Sequence, residues 1–381
     1  MKKITALILA LCLVCLCLSG CGSTEIRSYS QDGATNTETR DMSGAYAAYK
    51  PDTVVATVCG DDISWQELFY WINSEVLTLD SENKSQIEDW TAAYSGSSDG
   101  QSYAEYLLSW VTGAVVQYHV MNAKAKELGV TLTDADKETL KSSLTKNITT
   151  YCGENATEED FNKYLQTIYM SRDYYDFVNQ VSCLFDNTFT HMFGENGEKC
   201  TDADTTQFAT DNNYITADHI LFSTVDSEGN ALTDDQIAEK KKQAQDAADT
   251  LQGITDHTKL LAKFKELKDK YTEDTGAANY PNGYCFTSGQ MAEEFQNASE
   301  NLKEYQVSDP VKTQYGYHVI LRLPTTPDDE VSYVSENEYR TLRYYAAVNQ
   351  YNTLVGSWID ETDVQWKDGF DKLDIPGLLK K

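Results

Sequence analysis

The sequence predicts an α+β protein in which a small antiparallel sheet with surrounding helices is inserted in a mainly α-helical domain. Three observations predict it. Residues 64–177 carry apolar side chains at helical spacing behind residues that cap helix starts. Two apolar β-type runs, 217–222 and 311–321, stand far apart in the chain, and each holds a histidine. After Pro324 and Pro327 the spacing becomes helical again. The expected division is 1–20 leader, 21–52 tether, 53–213 helical N-terminal domain, 214–324 central domain and 325–381 C-terminal helix and tail.

At the N-terminus, Lys2 and Lys3 precede a 15-residue apolar run from Ile4 to Leu18, followed by Ser19-Gly20-Cys21. A membrane span needs about 20 apolar residues, so the run reads as a secretory signal. Leu18 to Cys21 resembles a bacterial lipobox. That resemblance implies cleavage before Cys21, lipidation of its sulfur, and a protein anchored by lipid to the outer side of the cell membrane. Gly22 to Lys50 is rich in Ser, Thr, Gly, Asn and Ala and reads as a flexible tether, spanning roughly 30 Å as a random coil.

The formal charge is −29, and loss of residues 1–20 removes two lysines and no acid, leaving −31. Such a surface argues against nucleic acid as a partner and favours basic or unfolded clients. Beyond Cys21 the remaining cysteines are Cys59, Cys152, Cys183, Cys200 and Cys285, an odd number without Cys-x-x-Cys or Cys/His metal spacing. No metal, cofactor, internal repeat or nucleotide motif is implied.

Folded sequence is expected from Thr53-Val54-Val55-Ala56-Thr57-Val58, turning at Gly60-Asp61-Asp62 into a helix capped by Ser64 with Glu67 three residues on. Trp65, Leu68, Phe69, Ile72 and Val76 share one face of it. A Ser/Gly-rich loop at 95–100 leads to a long helix through Tyr103, Leu107, Trp110, Ala114, Met121 and Leu128, ending at Gly129. Thr133-x-x-Asp136 and Thr157-x-x-Asp160 each read as a capped helix start. Tyr169, Tyr174, Tyr175 and Phe177 suit either a core or a groove for extended apolar clients. At the other end, Glu336 to Trp358 shows helical spacing through Tyr339, Leu342 and Tyr345, and the acidic tail carries Val364, Trp366, Phe370 and Leu373.

In the central stretch, Ala217-Asp218-His219-Ile220-Leu221-Phe222 is followed by Tyr271-Thr272-Glu273-Asp274, by Gly283-Tyr284-Cys285-Phe286-Thr287-Ser288-Gly289-Gln290-Met291, and by Ser308-Asp309-Pro310 to Ile320. Together and in this order they resemble the parvulin (PpiC, rotamase) family of peptidyl-prolyl isomerases over residues 214–324. The strand-turn-helix at 53–76 is similar to extracytoplasmic foldases of the PrsA and SurA kind. The resemblance implies that the C-terminal helix packs back on the N-terminal helices, around an inserted isomerase domain. It further implies that His219, Thr313 and His318 form a hydrogen-bonded floor, with Asp274 where parvulins hold Cys or Asp. Asp274 would act through its field near the substrate carbonyl, or by holding the histidine pair in one tautomer. Met291 and Phe295, four apart at a helix start, would wall the proline socket together with Tyr284 and Phe286.

The chain departs from the family pattern twice. Tyr280 to Cys285 replaces the usual Gly-Gly-Asp-Leu-Gly, so the socket leucine is missing and Tyr284 is its candidate replacement. Tyr305 stands where the family has glycine, behind Glu300-Asn301 in place of an apolar pair, which bears on the local turn. His119, His191 and His257 lie in no motif. The implied function is a membrane-anchored foldase that isomerises X-Pro bonds in unfolded or partly folded exported proteins. The alternatives are a holdase whose parvulin domain only binds peptide and a solute-binding lipoprotein; the helical N-terminal region argues against the last. Isomerisation of a proline tetrapeptide separates enzyme from holdase. As for anchoring, Cys21→Ser should release the protein from membranes without unfolding residues 53–381. Equal retention of the variant after a high-salt wash would rule out lipid attachment.

Overall fold

A computed structural model describes residues 40–335 and 338–380. The signal segment, Cys21 and the tether up to residue 39 lie outside the described residues. In chain order the elements are α1 (Ser43–Tyr46), β1 (Val54–Val58), β2 (Asp61–Ser64), α2 (Trp65–Glu82), α3 (Tyr103–Glu127), α4 (Asp134–Cys152), α5 (Glu158–Thr167) and α6 (Arg172–Phe193). There follow α7 (Asp202–Asp211), β3 (Ile215–Ser223), α8 (Asp234–Gln252), α9 (His257–Tyr271), β4 (Tyr284–Phe286), α10 (Glu293–Asn301), β5 (Val311–Lys312) and β6 (Gly316–Leu323). The last are β7 (Glu330–Ser335), β8 (Glu338–Thr341), α11 (Leu342–Glu361), β9 (Val364–Trp366) and α12 (Ile375–Leu378). Two compact units result among the described residues, one holding 40–191 and 351–380, the other lying within Met192–Gln350.

In the first unit, β1 turns through Cys59 and Gly60, both at positive φ, and pairs with β2. On its other edge β1 pairs with β9, Ala56 opposite Trp366 and Val58 opposite Val364. The face of α2 formed by Trp65, Leu68, Phe69, Ile72 and Val76 is buried against Leu107, Val111 and Ala114 of α3, and Phe370, Ile375 and Leu378 of the tail join the same core. Serine and threonine caps fix the helix starts: Ser64 accepts the Glu67 N–H, while Thr133 with Asp136 and Thr157 with Asp160 close reciprocal capping boxes. Ser102 and Glu105 form another box at the start of α3, which follows the Ser/Gly-rich loop. Each such cap is worth about 1 kcal/mol.

Two expectations need correction here. The tether does not extend to residue 52. Arg40 pairs with Asp80 at 2.8 Å, Met42 is 2% exposed, and the Trp65 indole N–H donates to the Tyr46 carbonyl at 2.9 Å. A composition averaged over the polar stretch hid Met42, Ala45 and Tyr46, whose apolar surface is enough to hold the segment down. Likewise the C-terminal helix begins at Leu342 rather than Glu336, because Tyr339 lies on β8 opposite Tyr333 of β7. A tyrosine three residues before Leu342 fits the helical period, yet here it serves a hairpin.

The second unit is built on a four-stranded sheet of order β4-β3-β6-β5. Its two long strands are antiparallel, with Ile220 opposite Val319 and His219 opposite Ile320. Alternation then sorts the side chains by face. Ile220, Phe222, Val319 and Leu321 pack on Ala244, Ala248 and Leu251 of α8 and on Leu260 and Phe264 of α9. The opposite face sets Ala217 and Ile320 against Phe286 and Phe295. Helix α7 and the β7–β8 hairpin also belong to this unit, where Phe208, Ala209, Val331 and Leu342 cluster with Cys285.

Tyr305 keeps the left-handed turn that glycine would make, at φ 62°, with its ring stacked 3.8 Å from that of His257. A non-glycine residue pays roughly 1–2 kcal/mol for that conformation, and the stacking offsets part of it. For the first unit, Phe370→Ala should lower stability by about 3–5 kcal/mol, as for any large ring removed from a packed core. Calorimetry checks this: an unchanged first-unit transition would mean that the tail contributes nothing to that core.

Candidate active site

His219 and His318 are not directly opposed. His219 faces Ile320 and His318 faces Leu221, so the two histidines form a diagonal pair on one face of the sheet. Their rings meet all the same, Nδ1 to Nδ1 at 3.1 Å. Beyond His219, its Nε2 lies 3.0 Å from Asp274 Oδ2, and the Tyr284 hydroxyl donates to that same oxygen at 2.6 Å. Beyond His318, its Nε2 lies 2.9 Å from Thr313 Oγ1, which also accepts the Tyr315 N–H at 3.2 Å. The Gly276 N–H donates to the second oxygen of Asp274 at 2.9 Å.

One charge orders this chain of bonds. Burial opposes ionisation of Asp274, but hydrogen bonds from His219, Tyr284 and the Gly276 N–H outweigh it and hold the carboxyl well below the usual range. Burial, and then the neighbouring His219, lower His318 to about 3, so it is neutral at ordinary pH. Burial and then the Asp274 hydrogen bond raise the Tyr284 phenol, which keeps its proton. With Asp274 ionised, His318 neutral and one proton on each imidazole, a single assignment satisfies every bond. His219 Nε2–H donates to Asp274, His318 Nδ1–H donates to His219 Nδ1, and the Thr313 hydroxyl donates to His318 Nε2.

A cavity of about 810 Å³ opens over this network, lined by His219, His318, Asp274, Tyr284, Met291 and Phe295 among others. Thr313 and Phe286 do not line it. Thr313 is buried behind His318, and Phe286 lies under Phe295, ring centroids 5.9 Å apart. Phe286 therefore supports the socket wall instead of forming it. Met291 stands just before the N-cap Ala292 of α10 and not within the helix, yet it reaches the cavity. Phe295 is at once wall and core: it lines the cavity, is 3% exposed, and sets its ring edge-to-face on both His219 and His318. Half-buried Met291 is the cleaner probe of the wall.

Strand β4 sends Tyr284 to the cavity and Cys285 to the opposite side, where burial raises its thiol to about 12. No cysteine lines the cavity. Gly283, at φ 93°, lies so close to the Ala217 carbonyl that a Cβ would collide there, which fixes how β4 approaches β3. Sequence reasoning missed the ion pair of Asp218 and Lys268, 2.7 Å apart and largely buried, in which Asp218 also accepts the His219 N–H at 2.7 Å. Asp218 stood in the quoted strand, but its partner lies 50 residues on, in a helix the motifs do not mark.

The depressed His318 gives a pH signature. In the unfolded chain His318 protonates near 6.5, and in the fold only near 3. Between these values the unfolded state holds more protons, so stability present above 6.5 is lost as pH falls through the window. The loss amounts to at most about 1.4 kcal/mol per pH unit for one proton. Asp274, lowered below 3.8, adds to the loss under about pH 4. Thermal melts of the second unit between pH 7 and 4.5 should therefore show a shallower dependence in His318→Asn; identical slopes would refute the neutral, buried imidazole.

Residues 219–323 match the sequence model of the rotamase family described as the PPIC-type PPIASE domain. The chain is 49% identical over 59 residues to the foldase protein PrsA 1 of Bacillus cereus, covering 15% of this chain and 20% of that protein. To the foldase protein PrsA of Bacillus subtilis (strain 168) it is 42% identical over 72 residues, 19% of this chain and 25% of the relative. These two matches thus span only about a fifth to a quarter of the relatives' length. A longer alignment, 25% identical over 285 residues, covers 70% of this chain and 72% of the foldase protein PrsA of Clostridium perfringens. Among solved structures, PrsA from Bacillus subtilis aligns at 21% identity over 72% of this chain and 92% of its own, with a TM-score of 0.26. Residues 219–323 thus form a rotamase domain of the PPIC (parvulin) type, carried in a chain similar to PrsA foldases.

Proposed function

We propose that this chain is an extracytoplasmic foldase, lipid-anchored at Cys21, that isomerises X-Pro bonds of exported proteins as they fold. The observation that carries the reading is the closed hydrogen-bond network of Asp274, Tyr284, His219, His318 and Thr313 under an apolar wall, with no activated nucleophile in reach. Among the described residues no helix is long and apolar enough to cross a membrane, so the anchor rests on the lipobox.

Rotation about an amide faces a barrier of about 18–20 kcal/mol from resonance. As the amide twists it loses charge separation, and its carbonyl needs less hydrogen bonding than in the planar form. A site that excludes water and offers that carbonyl few donors therefore binds the twisted form better. Every N–H and O–H of the network is already committed inward. Met291, Ala292 and Phe295 would hold the proline ring, and the neutral histidine rings would floor an apolar site. Of the two roles open for Asp274, its bonding supports the tautomer-holding one, since its oxygens are occupied by His219, Tyr284 and Gly276.

The test is acceleration of cis/trans exchange in a proline tetrapeptide by the full chain. Met291→Ala, which removes about 40 Å² of apolar contact, should lower kcat/KM roughly fivefold at about 25 cal/mol per Å². His318→Ala should lower it about tenfold or more, the equivalent of ~1.4 kcal/mol. Suppressed aggregation of an unfolded client without any acceleration of the peptide would establish the holdase instead.

A further inference from the structure

We propose that the cleft carries a second subsite, for a lysine or arginine side chain flanking the isomerised proline, made by Asp226 and Tyr315 over Val225 and Leu232; this rests on the isomerase reading above. Beyond the apolar wall, the cavity continues between the segment after β3 and the turn into β6. The two segments are tied together, since the Tyr315 carbonyl accepts the Thr224 N–H at 3.0 Å and the Ser223 hydroxyl at 3.4 Å.

Four charged side chains line the cavity: Asp226, Lys240, Glu273 and Asp274. Lys240 is consumed by Glu273, meeting both of its oxygens at 2.5 and 2.7 Å. Asp274 is consumed by the network below. Asp226 alone meets no cation among the described residues; its Oδ1 accepts the N–H groups of Glu228 and Asn230, each at 2.9 Å, and its Oδ2 accepts the Asn230 side-chain amide at 3.3 Å. Tyr315, which lines the same cavity, is 52% exposed and stacks on no other ring among the described residues. A carboxylate without a cation and an exposed tyrosine, lining one cavity with Val225 and Leu232, suit a long alkyl stem ending in a cation. A glutamate or phosphorylated residue there would meet three carboxylates and one neutralised ammonium.

The experiment compares full-chain isomerisation of succinyl-Ala-X-Pro-Phe and succinyl-Ala-Ala-Pro-X anilides with X as Lys, Arg, Ala or Glu. In at least one series Lys and Arg should exceed Glu about tenfold in kcat/KM at low salt, falling to about threefold near 0.5 M NaCl, where screening reaches short range. In Asp226→Asn and in Tyr315→Ala the Lys-to-Glu ratio should shrink toward one. Equal rates for Lys and Glu in both series would overturn the subsite while leaving the isomerase reading intact. Should no peptide be accelerated, the isomerase reading falls, and NMR titration with the same Lys and Glu peptides decides the subsite: equal or absent binding overturns it.

Discussion

The carboxylate of Asp274 is the constraint on which the rest of the site depends. It is a half-buried charge, and hydrogen bonds hold it. The Gly276 N–H, the Tyr284 hydroxyl and His219 Nε2–H supply them. With one proton on each imidazole, His219 spends its own there and accepts at Nδ1, so His318 donates from Nδ1 and accepts from Thr313 at Nε2. The carboxylate and the two rings together set two tautomers and a hydroxyl rotor across two strands. No step in that sequence leaves a proton pointing into the cleft.

The fold is arranged to make this possible. A diagonal histidine pair needs β3 and β6 in one register, and the sheet's far face sets that register by burying Ile220, Phe222, Val319 and Leu321 on α8 and α9. A slip of one residue between these strands would put the two histidines on opposite faces of the sheet. The Asp218–Lys268 pair bonds the backbone at His219 and also joins α9 to the sheet. Removing either partner would strand the other charge in the interior, which is costly.

The histidines, Asp274 and Thr313 were legible because each sits in a short run whose residues keep one order along the chain. Ile220, Phe222, Val319 and Leu321 were legible as buried strand residues for a similar, local reason. What was not legible depends on partners distant in sequence. Lys268 is one lysine in a helix full of them, and only the fold brings it to Asp218. Val364 to Trp366 looks like tail until β1 offers it an edge. Tyr339 fits the period of the following helix, and nothing local says that it faces Tyr333. The tether was read too far along the chain, because Met42, Ala45 and Tyr46 count for little in an average yet bury fully or partly against α2 and its neighbours.

The departures from the family pattern follow the same logic. Tyr284, the candidate for the socket leucine that the sequence lacks, brings a hydroxyl that must find a partner when half buried. Tyr284 finds Asp274, so the replacement keeps an aromatic wall and gives the carboxylate one more donor. That extra donor deepens the preference for the ionised form and with it the single direction of the network. Because Tyr284 and Cys285 alternate on β4, the change costs nothing on the other side, where the thiol remains among Ala209 and Leu342. Tyr284 therefore reinforces the charge that organises the site.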